Sequence, residues 1–120
     1  MDLIEFRDFC LSMEGVTEKM PFGKFARRYE SVLVFYVLDH MFCLTDINDF
    51  TNVEIPCTPD EKRDFKDRYT AVSSPLNRAL VNWVTLNFDE DMPDAEIYSY
   101  VTRAYHLIKS KHTPKPKSTK

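Results

Sequence analysis

Hydrophobic positions along the chain repeat with two different periods, and their alternation predicts both helices and strands. Near the amino-terminal end apolar side chains recur every three or four residues, which predicts an amphipathic helix over residues 3–14. Residues 32–37 are β-branched and aromatic, and residues 41–45 form a second apolar run after a turn-like segment. This pair of runs predicts a β-hairpin, and residues 53–57 predict a third strand.

The clearest local signal is the start of the second helix. Thr58 is suited to cap the helix, Pro59 to occupy its first turn, and Glu61 to complete a capping box. The helix is expected to continue to about Tyr69. All three residue types agree on one starting point, so this boundary can be predicted from a few neighbouring positions.

The rest of the chain predicts two strands, at residues 71–74 and 80–88, and a closing helix over residues 93–110. The resulting order, α-β-β-β-α-β-β-α, favours an α+β fold with a single, mainly antiparallel sheet and helices packed against it. We expect one domain over residues 1–110. Residues 111–120 are rich in lysine and proline and are expected to form a basic, disordered C-terminal tail.

Composition narrows the range of functions. The 120 residues are 43% hydrophobic and 13% aromatic, enough to fill one core without metals or disulfides. No apolar run approaches the roughly 20 residues of a membrane-spanning helix, and two glycines are too few for a glycine-rich phosphate loop. The three cysteines include no C-x-x-C pair, which favours reduced thiols in a cytoplasmic protein. No cofactor and no metal site are expected.

Charge is distributed unevenly along the chain. All 19 acidic residues lie at or before Glu96, whereas residues 109–120 contain five lysines and no acid. Residues 1–108 therefore carry 11 basic side chains against 19 acidic ones. Nucleic-acid affinity depends largely on cations that neutralise phosphates. Any such site on this acidic body must be a local patch.

An ordered set of short motifs runs along almost the whole chain, up to Lys109. In sequence order the motifs are Pro21-Phe22-Gly23, Met41-Phe42 followed by Leu44, Pro59-Asp60-Glu61, Asn77-Arg78, Asn82-Trp83-Val84, Pro93-Asp94 and Ala104-Tyr105-His106-Leu107-Ile108. Together they resemble the MmcQ/YjbR family of small bacterial proteins. The resemblance implies a compact α+β fold similar to the CyaY-like arrangement, and it also implies DNA binding.

Several polar positions depart from the family's pattern. Asp39-His40 stands where the family usually has a lysine after the hairpin turn, and Pro56 stands where a lysine usually ends the third strand. Asn82 replaces a histidine before the tryptophan, whereas Arg78 keeps the charge of the family's lysine. The apolar pattern is retained, so the expected fold is unaffected. The expectation of DNA binding is weakened.

The first candidate site, here called the basic loop, consists of Lys24, Arg27 and Arg28 after the Pro-Phe-Gly turn. Phe25 and Tyr29 are interleaved with these cations. Basic side chains between aromatic residues fit contacts to a phosphate backbone. The alternative is a solvated segment held in place by its two aromatic residues.

The second candidate site, here called the Trp83 loop, consists of Asn77, Arg78, Asn82 and Trp83. Arginine can bind a phosphate with two hydrogen bonds, asparagine can pair with an adenine edge, and an exposed tryptophan can stack on a base. The sequence favours the alternative, a core tryptophan whose neighbours hydrogen-bond within a loop.

Two functions remain open from the sequence, and an acidic cation-binding protein is a distant third. The first is a monomeric, cytoplasmic module that binds DNA weakly through the basic loop and the Trp83 loop. The second is a protein-interaction module that binds no nucleic acid. We do not expect an enzyme, because no nucleophile, base and orienting group occur in a recognisable pattern.

Overall fold

Six β-strands form one antiparallel sheet, and three α-helices contribute to the core on one of its faces. The computed structural model describes residues 1–114. Its elements are α1 (Leu3–Ser12), β1 (Thr17–Lys19), β2 (Val32–Val37), β3 (His40–Asp46), β4 (Asn52–Pro56), α2 (Pro59–Arg68), β5 (Val72–Ser73), β6 (Trp83–Asn87) and α3 (Asp94–His112). The strand order across the sheet is β1-β2-β3-β4-β6-β5. The predicted α+β class and the order of its elements are confirmed.

The structure differs from expectation by one added strand and at several element ends; for example, α1 ends at Ser12 and not near residue 14. The short strand β1 precedes the predicted hairpin and pairs with β2, joining Thr17 to Tyr36 and Lys19 to Val34. Helix α3 ends at His112, two residues inside the predicted tail. Thr113 and Pro114 follow the helix, and residues 115–120 of the predicted tail lie outside the described residues.

The start of α2 follows the sequence prediction. The Thr58 hydroxyl accepts a hydrogen bond from the Glu61 backbone N–H at 3.1 Å, and the Glu61 carboxylate accepts one from the Thr58 backbone N–H at 3.0 Å. Pro59 occupies the first turn. This reciprocal pair satisfies two backbone donors that the helix itself leaves free.

A β-bulge in the hairpin changes which side chains enter the core. Phe35 pairs with Cys43, but the next pair joins Tyr36 to Met41, so Phe42 is an additional residue in β3. Both Phe42 and Cys43 are fully buried. Regular alternation would send one of them to the opposite face, and the bulge allows both to fill the core.

The core lies between the helices and one face of the sheet. Phe6 of α1 is fully buried, and its ring centroid lies 6.1 Å from that of Phe35 on β2. Phe65 of α2 packs at 4.7 Å from Tyr100 of α3. All three cysteines are buried, as expected for small core residues. The opposite face, here called the outer face, carries none of the three α-helices, although Val34 and Thr85 on it are buried.

Asp91 connects the end of α2 to the start of α3. Its two carboxylate oxygens each accept a backbone N–H at 2.8 Å, from Thr70 and from Ala71. These hydrogen bonds, with that from Thr70 as the largest cause, hold the pKa of Asp91 below its usual value. Because the folded state favours the ionised form, Asp91 stabilises the fold at neutral pH, and this contribution disappears as the pH falls through the lowered pKa.

We therefore expect Asp91→Asn to be less stable than the wild type at neutral pH, with the difference vanishing in strong acid. The check is the free energy of unfolding in urea, measured from about pH 7 down to about pH 2. Asp67→Asn is the matched control, because Asp67 is exposed and its carboxylate accepts no hydrogen bond from residues 1–114. Identical pH profiles for the two variants would contradict the role given to Asp91.

Candidate nucleic-acid interface

Among residues 1–114, five cationic side chains are already paired with carboxylates. Arg103 contacts Glu61 at 2.6 Å, Arg68 contacts Asp64 at 3.1 Å, and Lys109 contacts Glu14 at 3.1 Å. The remaining two pairs are Arg7 with Glu18 and Arg63 with Asp60. A cation that already has a carboxylate partner gains less from a phosphate. These five are therefore poor candidates for a nucleic-acid site.

The cations of the basic loop are exposed and make no such pairs. Within residues 1–114, neither Lys24, Arg27 nor Arg28 has a carboxylate at ion-pair distance. The Lys24 ammonium lies 5.2 Å from the Phe25 ring centroid, and the Arg28 guanidinium lies 4.8 Å from that of Tyr29. These contacts leave the charges free to meet an anion from solvent.

The basic loop is held in shape by its own backbone. The Phe25 N–H donates to the Phe22 carbonyl at 3.0 Å, and Arg27–Tyr29 form one turn of 3₁₀-helix. Gly23 approaches Glu30 so closely that a Cβ atom on it would lie 3.1 Å from the Glu30 Cα. Phe25 is 71% exposed. Phe25 therefore does not anchor the loop, whereas Tyr29 is half-buried.

The Trp83 loop is fixed mainly through main-chain atoms. Asn77 accepts from the Leu80 N–H through its backbone carbonyl at 3.1 Å and from the Ala79 N–H through its side chain at 3.0 Å. The Asn82 carbonyl accepts from the Cys57 N–H at 2.9 Å. Both asparagines are exposed, and so is Arg78, which has no carboxylate partner in the part of the chain described.

Helix α2 anchors this loop with two lysines on one side. The Lys62 ammonium donates to the Val81 carbonyl at 2.6 Å, and the Lys66 ammonium donates to the Ser74 hydroxyl at 2.9 Å. The exposed surface of α2 carries charges of both signs. Only Arg63 and Arg68 pair within the helix. The two lysines instead set the position of the loop that carries Arg78.

Trp83 is not a core residue. It is half-buried, lies outside the hydrophobic cluster, and pairs with Pro56 at the start of β6. The interpretation as a core tryptophan is therefore wrong. The neighbouring Val84 fills the core in its place, because alternate residues of a strand point to opposite faces. Trp83 lies on the outer face.

The two loops belong to opposite edges of the sheet. The basic loop joins β1 to β2, and the Trp83 loop leads from β5 to β6, with β3 and β4 between the two pairs. From the strand spacing and register, the Cα atoms of Val32 and Trp83 are roughly 20 Å apart. The basic loop and the Trp83 loop therefore do not form one continuous cluster of cations.

Glu54 is a further candidate that sequence reasoning missed. It lies near the middle of β4 on the outer face, between Leu44 of β3 and Thr85 of β6. Burial raises the pKa of its carboxyl above the usual value, and no group within residues 1–114 donates a hydrogen bond to it. In the sequence, Glu54 is an ordinary polar residue in a strand where apolar and polar residues alternate. The sequence pattern therefore gave no reason to single it out as a site residue.

Other kinds of site are not visible among residues 1–114. No three histidine, cysteine or carboxylate side chains there converge on a possible metal position. Burial raises the pKa of the Cys57 thiol to about 11, which disfavours a nucleophilic thiolate. A groove of about 800 Å³ lies between the start of α2 and the end of α3, where Glu61 and Arg103 already pair. None of the helices described is long and apolar enough to cross a bilayer.

The fold and the site define a class of protein. It is an α+β domain with a six-stranded antiparallel sheet, α-helices on one face of that sheet and unpaired cations on two edge loops. The model of the YjbR family matches residues 11–107. The chain therefore belongs to the YjbR family, and the resemblance found in the sequence is confirmed. No curated protein is significantly similar to it in sequence.

Two solved structures are similar to the fold. A protein of Deinococcus radiodurans with a DUF419 domain matches with a TM-score of 0.79 and 21% identity, over 94% of this chain and 82% of that one. A protein of Pseudomonas syringae matches with a TM-score of 0.68 and 14% identity, over 89% of this chain and 98% of that one. At these identities the likeness establishes the fold alone.

Proposed function

We propose that this YjbR-family protein binds single-stranded nucleic acid weakly, with the basic loop and the Trp83 loop contacting phosphates. One observation carries the proposal. Lys24, Arg27, Arg28 and Arg78 are exposed without a carboxylate partner among the described residues, whereas five other cations are paired. Unpaired cations on an acidic body are free to neutralise phosphates.

The exposed rings favour single strands over a duplex. Phe25 stands beside Lys24 with most of its surface in solvent, and Trp83 is partly accessible on the outer face. Aromatic side chains stack on unpaired bases, which a duplex does not offer. The exposed arginines of α2 pair with Asp60 and Asp64, so this helix offers no free row of cations to a major groove.

Weak affinity follows from the charge of the remaining surface. The net charge of the whole chain is −3, and residues 1–108 alone are more acidic. At long range the protein repels a polyanion, and only contacts close to the two loops are attractive. Binding should therefore be detectable at low ionic strength and fall steeply as salt is added.

Neutralising two arginines of the basic loop tests the proposal. We expect Arg27→Gln with Arg28→Gln to lower the affinity for a labelled single-stranded oligonucleotide about tenfold at low salt. The slope of log K against log salt should become shallower by about 1.4, at about 0.7 for each lost phosphate contact. Fluorescence anisotropy over a salt series measures both quantities.

The matched control is Arg63→Gln with Arg68→Gln, which changes the net charge equally at two arginines that already pair with Asp60 and Asp64. This control should bind nearly as the wild type does. An equal loss of affinity in both double variants would show that the effect depends on net charge alone and not on the basic loop. Wild-type protein that shows no salt-sensitive binding at low ionic strength would overturn the proposal.

Three lysines lie beyond the described residues and need their own control. Replacing Lys115, Lys117 and Lys120 with glutamine removes their charge while leaving both loops intact. The proposal predicts that this variant keeps most of its affinity and its sensitivity to the Arg27 and Arg28 substitutions. Loss of all binding in this variant would assign the interaction to the carboxyl-terminal segment instead.

A second candidate function is a protein-interaction module. The observation that favours it is the exposure of two aliphatic residues on the loop between β5 and β6, where Leu76 is 99% exposed and Val81 is 67% exposed. An apolar patch of this kind can be buried by a partner protein. The oligonucleotide binding experiment at low salt distinguishes the two candidate functions. A protein-interaction module should show no salt-sensitive affinity for oligonucleotides.

A further inference from the structure

A continuous row of paired residues crosses the outer face of the sheet. The register aligns one residue from each strand, in the order Lys19, Val34, Leu44, Glu54, Thr85 and Ser73. Glu54 is the only acidic residue in this row. Its two direct neighbours are the aliphatic Leu44 and the hydroxyl-bearing Thr85. Its carboxylate therefore lies near the middle of the face, remote from both sheet edges.

The Glu54 carboxylate has no partner within residues 1–114. It accepts no hydrogen bond and contacts no cation there, although it is half-buried. Three other partly buried carboxylates have partners: Glu18 pairs with Arg7, Glu61 pairs with Arg103, and Asp46 accepts from Ser31 at 2.7 Å. Glu96 of α3 is the exception, because one of its carboxylate oxygens is also buried without a hydrogen-bond partner among the described residues. A half-buried charge without a partner costs stability, which is typical of a group that acts on a ligand.

Trp83 lies next to this carboxylate on the same face. Trp83 pairs with Pro56, and Pro56 is two residues beyond Glu54 in β4. Glu54 and Trp83 are therefore diagonal neighbours with Cβ atoms about 7 Å apart, within reach of an aromatic ring and a long side chain. The pair offers a stacking surface beside an acceptor that takes two hydrogen bonds.

Among the bases, guanine fits this pair best. Its N1–H and its N2 amino group are adjacent donors that point in the same direction, so one carboxylate can accept from both. Thymine offers a single N–H between two carbonyl oxygens, which a carboxylate repels. We propose that Glu54 accepts the paired N–H donors of an unstacked guanine whose ring stacks on Trp83, an inference that rests on the proposed binding of single-stranded nucleic acid.

A guanidinium group from a partner protein would also suit a carboxylate beside an indole ring. The charge of the surrounding loops favours the base. Lys24, Arg27, Arg28 and Arg78 stand unpaired at the two sheet edges and would repel a cationic peptide, whereas they attract the phosphates of a nucleic-acid strand. The base is therefore the occupant we assign.

The experiment compares a thymine-only oligonucleotide with the same strand containing one central guanine. We expect the wild type to bind the guanine strand about tenfold more tightly, as for one bidentate contact. A third strand with inosine in place of guanine lacks the N2 amino group, and it should lose most of that preference. In Glu54→Gln the preference should disappear while the affinity for the thymine strand and its salt slope are unchanged.

Glu90→Gln is the matched control, because it removes the same charge from an exposed residue in the connection between β6 and α3. It should retain the guanine preference. Glu54→Gln conserves size and removes an unpartnered charge, so its thermal unfolding midpoint should equal or exceed that of the wild type. This measurement separates a lost preference from a lost fold.

The outcomes distinguish the two proposals. Salt-sensitive binding without a guanine preference, or with one that Glu54→Gln retains, would overturn the inference about Glu54 and leave the proposed function standing. Wild type that binds none of the strands would overturn both. A tri-arginine peptide that binds the wild type but not Glu54→Gln, with no guanine preference, would show that the carboxylate receives a cationic peptide and would also overturn the inference.

Discussion

Phe6→Ala is expected to lower the free energy of unfolding by about 3–5 kcal/mol, the largest effect of any change considered for this protein. Phe6 is fully buried in the centre of the core. Its ring centroid lies 5.7 Å from Phe50, 6.0 Å from Tyr98 and 6.1 Å from Phe35. The side chain therefore joins α1 to β2, to α3 and to the connection before β4, and its removal leaves a cavity that all of them line.

Urea denaturation measures the effect, with the midpoint and the slope reported separately. Phe25→Ala is the control, because the same atoms are removed from a ring that is 71% exposed. Its cost should remain within about 0.5 kcal/mol. A domain of this size has a total stability of about 5–15 kcal/mol, so the Phe6 variant retains only part of its margin. Similar losses for the two phenylalanines would contradict the described core.

Replacing the hairpin turn Leu38-Asp39 with Asn-Gly is expected to raise the free energy of unfolding by about 1–2 kcal/mol. The two turn residues have positive φ angles of 51° and 64°. Residues with a Cβ atom are strained at these angles, and of the two turn residues Leu38 is the more strained. Asparagine and glycine are the residues that a two-residue turn of this type prefers. Both positions are exposed, so no core contact is lost.

The single variants apportion this gain. Leu38→Asn should supply a substantial part of the gain in stability. Leucine is more strained in the left-handed region than the aspartate at position 39, so replacing Leu38 relieves more strain than replacing Asp39. Thermal unfolding of the two single variants and the double variant measures the effect, and the strand register should be unchanged. Destabilisation by the double variant would mean that Leu38 makes a contact in solution that outweighs its backbone strain.

The order of the helices and strands, the capping box of α2 and the hairpin could be predicted from the sequence. Each depends on residues close together in the chain. Thr58 and Glu61 exchange hydrogen bonds across a single helical turn, and the apolar period of a helix or strand is visible over a few residues. The positions of Lys24, Arg27, Arg28 and Arg78 as exposed cations also follow from local polarity.

Other features require contacts between distant parts of the chain. Strand β1 is too short and polar to be recognised and exists because Thr17 and Lys19 pair with β2. The bulge that buries both Phe42 and Cys43 depends on the register between two strands. Trp83 was expected in the core, and its register against Pro56 places it on the outer face instead.

The sequence by itself determined which class of fold this chain adopts, which family it resembles and which loops carry its charge, because local periodicity and composition encode those properties. Only the tertiary structure decided which cations remain unpaired and that Glu54 and Trp83 are neighbours. Both depend on strand register and on side chains that are far apart in the chain. A shift of one residue in the pairing of β4 with β6 would move these two side chains to opposite faces.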